Sequence, residues 1–266
     1  MLTATKLTKT YSSATVVDNL SISVGAGEIV GLLGPNGAGK TTTLNMLTGY
    51  LAPTSGTVTV NGQNARHDPV SAARHIGFLP ENPPLYNEMT VRAYLDFVYG
   101  LKGVKAANKR EHIHIAAQSA DVADVMKRVI GNLSRGYRQR VGLAAALIGD
   151  PDIVILDEPT VGLDPRQIHD IRNLIQKLGE SRAVLLSTHI LPEASQLCKR
   201  VLVLHHGRVV AYDEPANLKV PKKRDRAARP ELLNMMTPKE REIFELGQSQ
   251  KNLEDVFLSL TLEEKL

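Results

Sequence analysis

The sequence has a single cysteine, no tryptophan and no long apolar run. Because Cys198 is alone, no disulfide can form within the chain, and nothing points to an oxidising compartment. No segment approaches the roughly 18 consecutive apolar residues that a membrane-spanning helix needs, and residues 1–6 lack the apolar centre of a secretory signal. We therefore expect a protein of the reducing cytosol, and any membrane path that it serves has to come from another chain.

A strong excess of charge is also missing, because 32 lysine and arginine residues face 28 aspartate and glutamate residues, for a net charge of +4. This small excess suits an anionic ligand or a membrane surface but gives no argument for nucleic-acid binding. The two histidine clusters, at residues 112–114 and 205–206, have no matching ligand pair at a metal-binding spacing. We therefore expect no structural metal site.

Residues 34–41 read Gly-Pro-Asn-Gly-Ala-Gly-Lys-Thr, which is a complete G-x-x-x-x-G-K-T phosphate-binding loop. The loop follows the apolar run 29–33 and precedes the helix-like segment 42–47, as this motif requires. Its glycines allow a tight turn that directs backbone N–H groups inward, where the positive end of the helix dipole also points. The residues that we expect to bind nucleotide here are Gly34, Pro35, Asn36, Gly37, Ala38, Gly39, Lys40, Thr41 and Thr42.

The acidic end of a second apolar strand, at residues 153–158, completes the chemistry of a Mg-ATP site. Lys40 can reach the β- and γ-phosphates, and Thr41 places a hydroxyl beside the position of Mg²⁺. Asp157 can hold the same ion directly or through water. Glu158 follows it and can accept a proton from an attacking water molecule. The two motifs together predict an ATPase, and a glycine-rich turn without a ligand is the alternative.

Three more segments accompany these two motifs in a fixed order. Residues 133–140 read Leu-Ser-Arg-Gly-Tyr-Arg-Gln-Arg, residues 162–164 read Gly-Leu-Asp, and residues 187–189 read Ser-Thr-His. The whole arrangement resembles the ATP-binding cassette (ABC) ATPases. The resemblance implies an α/β P-loop fold and a head-to-tail dimer that encloses ATP and Mg²⁺ between its two subunits.

The resemblance also implies roles for single residues. Ser134 and Gly136 would contact the γ-phosphate of ATP held by the second subunit, and Asp164 would cross the same dimer interface. His189 would contact the γ-phosphate and the attacking water, and Tyr11 would stack on adenine. Ser134 and Asp164 are in addition good N-cap residues, because their side-chain oxygens can accept backbone N–H groups at a helix start.

Three positions depart from the usual family pattern. Arg135 and Tyr137 stand where the signature of most cassettes has glycine and glutamine, and Glu81 replaces a glutamine in the loop after an apolar strand. A carboxylate at this position can still ligate Mg²⁺ or hold water, but it adds negative charge beside the phosphates. These departures leave open a second function, a nucleotide-gated binding module with little hydrolysis.

Segments at 79–82, 133–143, 186–190 and 253–257 resemble the ATP-binding subunits of ABC-2-type exporters, especially the gliding-motility and multidrug branch. This resemblance implies a peripheral protein at the cytoplasmic face of the inner membrane. There it would drive a separate integral membrane permease together with a second, identical ATPase subunit. A soluble ABC ATPase associated with ribosomes or DNA is the third reading, which we disfavour because the chain has one cassette and no sustained heptads.

The order of elements predicts three parts. Residues 1–87 and 151–215 would form the α/β ATPase core with an antiparallel β edge, and residues 88–150 a helical subdomain that carries the signature. Residues 216–266 would form a basic linker followed by short accessory helices. The strands that we expect lie at 2–6, 21–24, 29–33, 57–60, 75–79, 153–156, 183–187, 200–204 and 208–212.

Overall fold

The computed structural model describes residues 1–103 and 109–218. Most of the predicted linker and all of the accessory helices fall in 219–266 and lie outside the described residues. The strands are β1 (Leu2–Tyr11), β2 (Ala14–Val24), β3 (Glu28–Leu33), β4 (Ser55–Val60), β5 (Gln63–Asn64), β6 (Ile76–Leu79), β7 (Ile153–Asp157), β8 (Ala183–Thr188), β9 (Arg200–His205) and β10 (Arg208–Asp213). The helices are α1 (Lys40–Leu47), α2 (Pro69–Arg74), α3 (Val91–Leu101), α4 (Lys109–Ser119), α5 (Arg135–Leu147), α6 (Pro165–Gly179) and α7 (Leu191–Leu197). Among these, no helix is both long enough and apolar enough to cross a bilayer.

The larger sheet has the strand order β10-β9-β3-β8-β7-β6. Its β3, β7 and β8 are nearly continuous runs of valine, isoleucine and leucine, because helices and the second sheet bury both of their faces. The pair of β9 and β10 is antiparallel, whereas the other pairs of this sheet are parallel. The predicted α/β fold with an antiparallel edge is therefore confirmed.

The smaller sheet is antiparallel and has the order β2-β1-β4-β5. Here the predicted strand lengths are wrong, because β1 and β2 extend over 10 and 11 residues. Ser12 adopts a left-handed backbone conformation, with φ of 50°, and closes a tight turn between Tyr11 and Ala14. The threonine-rich segments on both sides of that turn consequently pair with each other, although they do not alternate apolar and polar residues clearly.

The larger sheet separates two apolar cores. On β3 the side chains of Val30 and Leu32 pack with α1 and the smaller sheet, while those of Ile29 and Leu33 pack with α5 and α6. This division follows from the period of two residues along a strand. The phosphate-binding loop follows the carboxyl end of β3, between the two cores. Packing on both faces of β3 therefore fixes where the loop begins.

Within the described part of residues 88–150, helices α3 to α5 and two short 3₁₀ turns account for the regular structure, together with one isolated bridge between Thr90 and Val129. Helix α5 packs closely behind the loop that follows β6. A Cβ atom at Gly142 would lie 2.8 Å from side-chain atoms of Leu79 and Pro83, so this contact requires glycine. The helix that carries the signature is thus tied to the loop that carries Glu81.

Candidate active site

The phosphate-binding loop joins β3 to α1 and forms the floor of the site. Gly39 has φ of 102°, and a Cβ atom there would lie 2.8 Å from the carbonyl oxygen of Val16. Glycine therefore meets both the conformational and the steric requirement of this position. The N-cap residue of α1 is Gly39, which has no side chain to cap the helix, and no other described residue takes that place. The first N–H groups of the helix and its dipole are therefore available to an anion.

Lys40 is held at the centre of this loop. Its Nζ atom donates hydrogen bonds to the carbonyl oxygens of Gly34 at 2.8 Å and Pro35 at 3.3 Å. The ammonium also lies 3.3 Å from Oε1 of Glu158, and both side chains are buried. This buried ammonium gives the loop the positive charge that attracts a phosphate ligand.

Glu158 directly follows β7 and is held in a strained conformation, with φ of 49°. Its backbone N–H donates to the carbonyl oxygen of Ser187 at 2.9 Å. Its Oε2 atom lies 2.9 Å from Nδ1 of His189, the first residue after β8. Because β7 and β8 are parallel neighbours, their carboxyl ends bring the predicted base and the predicted histidine together.

Asp157 and Thr41 form the part of the site that suits a divalent cation. The hydroxyl of Thr41 donates to Oδ2 of Asp157 at 3.3 Å, while the buried Oδ1 atom has no hydrogen-bond partner among the described residues. Burial raises the pKa of Asp157, and the negative charge of Glu158 also contributes. A hydroxyl and an incompletely paired carboxylate are oxygen ligands of the kind that Mg²⁺ prefers, so the residues present fit this ion.

Side chains of the phosphate-binding loop and of the acidic pair line a cavity of about 200 Å³ above the loop, which we call the cradle. Gly34 and Ala38 do not line this cavity, but both shape the loop. The carbonyl oxygen of Gly34 accepts from Lys40, and the backbone N–H of Ala38 donates to the carbonyl oxygen of Pro35 at 3.2 Å. Sequence reasoning missed Val16, which reaches the cavity from β2. The lining residues are Val16, Pro35, Asn36, Gly37, Gly39, Lys40, Thr41, Thr42, Glu81, Asp157 and Glu158.

Besides Gly34 and Ala38, five predicted site residues do not line this cavity: Tyr11, Ser134, Gly136, Asp164 and His189. Tyr11 is 47% exposed at the end of β1, and its stacking on adenine stays a prediction. The hydroxyl of Ser134 accepts the backbone N–H of Tyr137 at 3.3 Å, and Asp164 accepts that of Gln167 at 2.9 Å. Both N-cap predictions are thereby confirmed, while the action of these residues on a second subunit stays a prediction.

A phosphate-binding loop between a buried parallel strand and a helix, with an acidic strand end beside it, defines a P-loop ATPase of the α/β class. Residues 17–161 match the family described as ABC transporter. The chain therefore belongs to the ABC transporter family, as an ATP-binding and ATP-hydrolysing subunit.

Relatives of this family resemble the chain over most of its length. The Nod factor export ATP-binding protein I of Paraburkholderia xenovorans is 41% identical over 215 residues, which cover 80% of this chain and 70% of the relative. The ATP-binding cassette MJ0796, solved as a dimer in a post-hydrolysis state bound to ADP and Pi, superposes with a TM-score of 0.72 at 26% identity, over 80% of this chain and 98% of that one. CbiO1 from Clostridium perfringens, part of the transporter complex cbiONQ, superposes with a TM-score of 0.74 at 25% identity, over 92% and 98% of the two chains.

Proposed function

We propose that this chain binds Mg-ATP, pairs head to tail with a second copy of itself and drives a separate integral membrane permease. We assign it to the ABC-2-type export branch, at the cytoplasmic face of the inner membrane. The name of the Nod factor export relative supports the export direction, and the cbiONQ complex supports work alongside membrane components. The observation that carries the catalytic part is the Glu158 carboxylate, held between the Lys40 ammonium and the His189 ring at the edge of the cradle.

Nucleotide binding uses the loop and its lysine. The backbone N–H groups at the start of α1 would donate to the phosphate oxygens, and Lys40 would move its hydrogen bonds from the carbonyls of Gly34 and Pro35 to the β- and γ-phosphates. Thr41 and Asp157 would hold Mg²⁺, and we give Glu81 a further place near the ion because it lines the same cavity. When bound, this ion neutralises part of the charge on the β- and γ-oxygens.

Hydrolysis uses Glu158 as the general base. Its carboxylate would accept a proton from the attacking water. His189 lies against this carboxylate through Nδ1, and we assign it in addition to contact with the γ-phosphate and the attacking water. Because Glu158 is buried and fixed by its backbone bond to Ser187, it needs little rearrangement before it acts. In this scheme Tyr11 stacks on the adenine ring.

The second subunit completes the site. Ser134 and Gly136 begin α5 and Asp164 caps α6, and an ion pair of 2.8 Å between Arg140 and Asp170 links these two helices. The two helix starts thus form one surface with paired dipoles and hydroxyl or carboxylate groups at its edge. None of the three predicted residues lines the cradle of its own chain, which supports a role at the nucleotide of the partner.

The substitution Glu158→Gln tests the catalytic part. We expect phosphate release to fall by at least about 100-fold, while Mg-ATP binding persists and the ATP-bound dimer lasts longer on size exclusion. Glu180→Gln, at the exposed end of α6, is the matched control and should release phosphate at the wild-type rate. Unchanged turnover in Glu158→Gln would remove this residue from the role of base.

The transport part needs a separate experiment. A tagged chain, isolated from detergent-solubilised membranes of its own organism, should retain a polytopic membrane protein in the presence of ATP. Co-sedimentation with ribosomes, without any such membrane protein, would instead favour the soluble ATPase that the sequence left as an alternative.

A further inference from the structure

Glu193 on α7 carries a fully buried carboxyl group that takes no part in the cradle cavity. The nearest cationic atom, Nε of Arg172 on α6, is 3.7 Å from its Oε1 atom, which is too far for a hydrogen bond. Within the described part of the chain Oε1 has no hydrogen-bond partner at all. An incompletely paired carboxyl group in the interior is costly, so a purely space-filling role would be served better by an apolar side chain.

The other oxygen of Glu193 has a short and specific contact. Its Oε2 atom accepts the hydroxyl proton of Thr188 at 2.7 Å, and both side chains are fully buried. The same hydroxyl oxygen accepts the backbone N–H of Ile190 at 3.0 Å. Because its proton is committed to Glu193, the hydroxyl can only act as an acceptor toward Ile190. Through this hydroxyl, the carboxyl group therefore holds the backbone of residues 188–190 in one conformation.

His189 lies inside this fixed turn. Its ring is 45% exposed, so surface packing restrains it little, yet its Nδ1 atom lies 2.9 Å from Oε2 of Glu158. The position of the ring consequently depends on the backbone that carries it, and this backbone is held by the relay from Glu193 through Thr188 to Ile190.

We propose that Glu193 is a positioning residue for His189, acting through the Thr188 hydroxyl. The inference rests on the proposed function, in which His189 assists Glu158 during hydrolysis. Glu193 does not line the cavity, and it determines where the histidine ring stands relative to the base. The competing explanation is local, since Glu193 lies in the first turn of α7 and the same relay satisfies the N–H of the N-cap residue Ile190.

A set of variants of the full chain separates the two explanations. Thr188→Val removes the hydroxyl at nearly constant volume, Thr188→Ser keeps it, and Glu193→Leu removes the oxygen that accepts the hydroxyl proton. We expect Thr188→Val and Glu193→Leu to lower kcat for phosphate release about 5- to 20-fold, with the KM for Mg-ATP changed less than about twofold. Thr188→Ser should stay within about twofold of wild type. Ser195→Ala, on the exposed side of α7, is the control and should leave turnover unchanged.

The deciding measurement repeats these substitutions in a His189→Ala background. If Glu193 acts through His189, Glu193→Leu and Thr188→Val should lower kcat no further there. The same fold reduction in both backgrounds would overturn the proposal and leave the local capping role. Should Glu193→Leu fail to fold, the pair Thr188→Val and Thr188→Ser gives the same comparison.

Two further results keep this inference distinct from the proposed function. Full turnover in Glu158→Gln would contradict the proposed function itself, whereas full turnover in His189→Ala alone would overturn the role of Glu193 but leave that of Glu158. A readout without turnover is the NMR signal of the His189 ring. We expect it to shift in Thr188→Val but not in Thr188→Ser, and an unmoved signal in both would count against the relay.

Discussion

The guanidinium of Arg140 on α5 lies 2.8 Å from the carboxylate of Asp170 on α6 and joins the helix that begins after Ser134 to the helix that begins after Asp164. The same guanidinium contacts Asp121 at 2.6 Å, after the end of α4. Arg140 itself is buried, whereas both carboxylates are partly exposed. One cation thus connects α5, α6 and the segment that follows α4, close to the predicted signature.

Replacement of Arg140 should lower stability more than loss of an ordinary surface ion pair. We expect Arg140→Gln to reduce the free energy of unfolding by about 1–2 kcal/mol, because two charged hydrogen bonds are lost while both aspartates stay hydrated. Arg140→Lys should recover only part of this loss, since an ammonium cannot make the two-pronged contact of a guanidinium. Urea unfolding followed by circular dichroism measures both values. Equal stability of wild type and Arg140→Gln would contradict this reading.

Lys40 provides the second prediction. Its ammonium lies 3.3 Å from Glu158 and 2.8 Å from the carbonyl of Gly34, at the centre of the loop. We expect Lys40→Ala to weaken Mg-ATP binding by about 100-fold or more in calorimetry, because a charge-assisted contact to two phosphates is lost. Lys127→Ala removes an exposed lysine remote from the cradle and should bind like wild type. Equal affinities of the two variants would exclude Lys40 from phosphate binding.

The sequence predicted that the two motifs lie side by side, and this proximity has a geometric reason. The phosphate-binding loop follows β3 and the acidic pair ends β7, so both motifs lie at the carboxyl edge of one parallel sheet. That edge brings Thr41 to within 3.3 Å of Asp157 although the two are far apart in sequence. Local motifs with fixed strand contexts were sufficient to predict this part of the site.

Contacts between side chains of different elements could not be predicted in the same way. The pair of Arg140 with Asp170 depends on how α5 packs on α6, and that of Thr188 with Glu193 on how α7 follows β8, and no periodic pattern identifies their partners. Val16 was missed for a related reason, since the position of β2 beside the loop depends on a close approach between the backbone of Val16 and Gly39. The lengths of β1 and β2 escaped prediction because their pairing depends on a turn without glycine or proline at Ser12.

Asp157 gives a prediction about pH. Burial raises its pKa, and Glu158 adds to this effect. The folded chain holds the proton more tightly than the unfolded chain, so this contribution favours folding at low pH and is lost as the pH rises through the raised pKa. At neutral pH the buried charge costs stability, and Asp157→Asn should raise the Tm measured without nucleotide by about 2–4 °C. The variant should also lose the Mg²⁺ dependence of ATP binding. An unchanged or lower Tm at neutral pH would contradict the sign.

Lys102, which follows α3, gives a prediction in the alkaline range. Its Nζ atom donates to the carbonyl oxygens of Ala146 at 2.9 Å and Ile148 at 2.7 Å, and burial lowers its pKa to about 8 from 10.5. Between these pH values the unfolded chain binds a proton that the folded chain does not. The free energy of unfolding should therefore rise with pH, by at most about 1.4 kcal/mol per pH unit.

Lys102→Met removes the titrating group and should remove this rise. Urea unfolding of wild type and variant at about pH 7.5 and about pH 9.5 measures the effect, and the difference should move in favour of wild type at the higher pH. A difference that stays constant between the two pH values would show that Lys102 titrates normally in the folded chain.

Glu81 offers the last prediction, since its exposed side chain borders two cavities at once. One is the cradle, and the other, of about 450 Å³, lies beside Arg135 and Arg138 at the start of α5. A negative charge beside the phosphates opposes nucleotide binding when no Mg²⁺ screens it. We expect Glu81→Gln to tighten ATP binding in EDTA by about 3- to 10-fold at low salt, and this gain should shrink or vanish at high salt because the added ions screen the charge. Glu88 is an exposed acid outside both cavities, and Glu88→Gln should leave the affinity for ATP unchanged at low and at high salt. If Glu81 ligates Mg²⁺ instead, the variant will need a higher Mg²⁺ concentration for half-maximal ATP binding, and calorimetry over a Mg²⁺ series distinguishes the two outcomes.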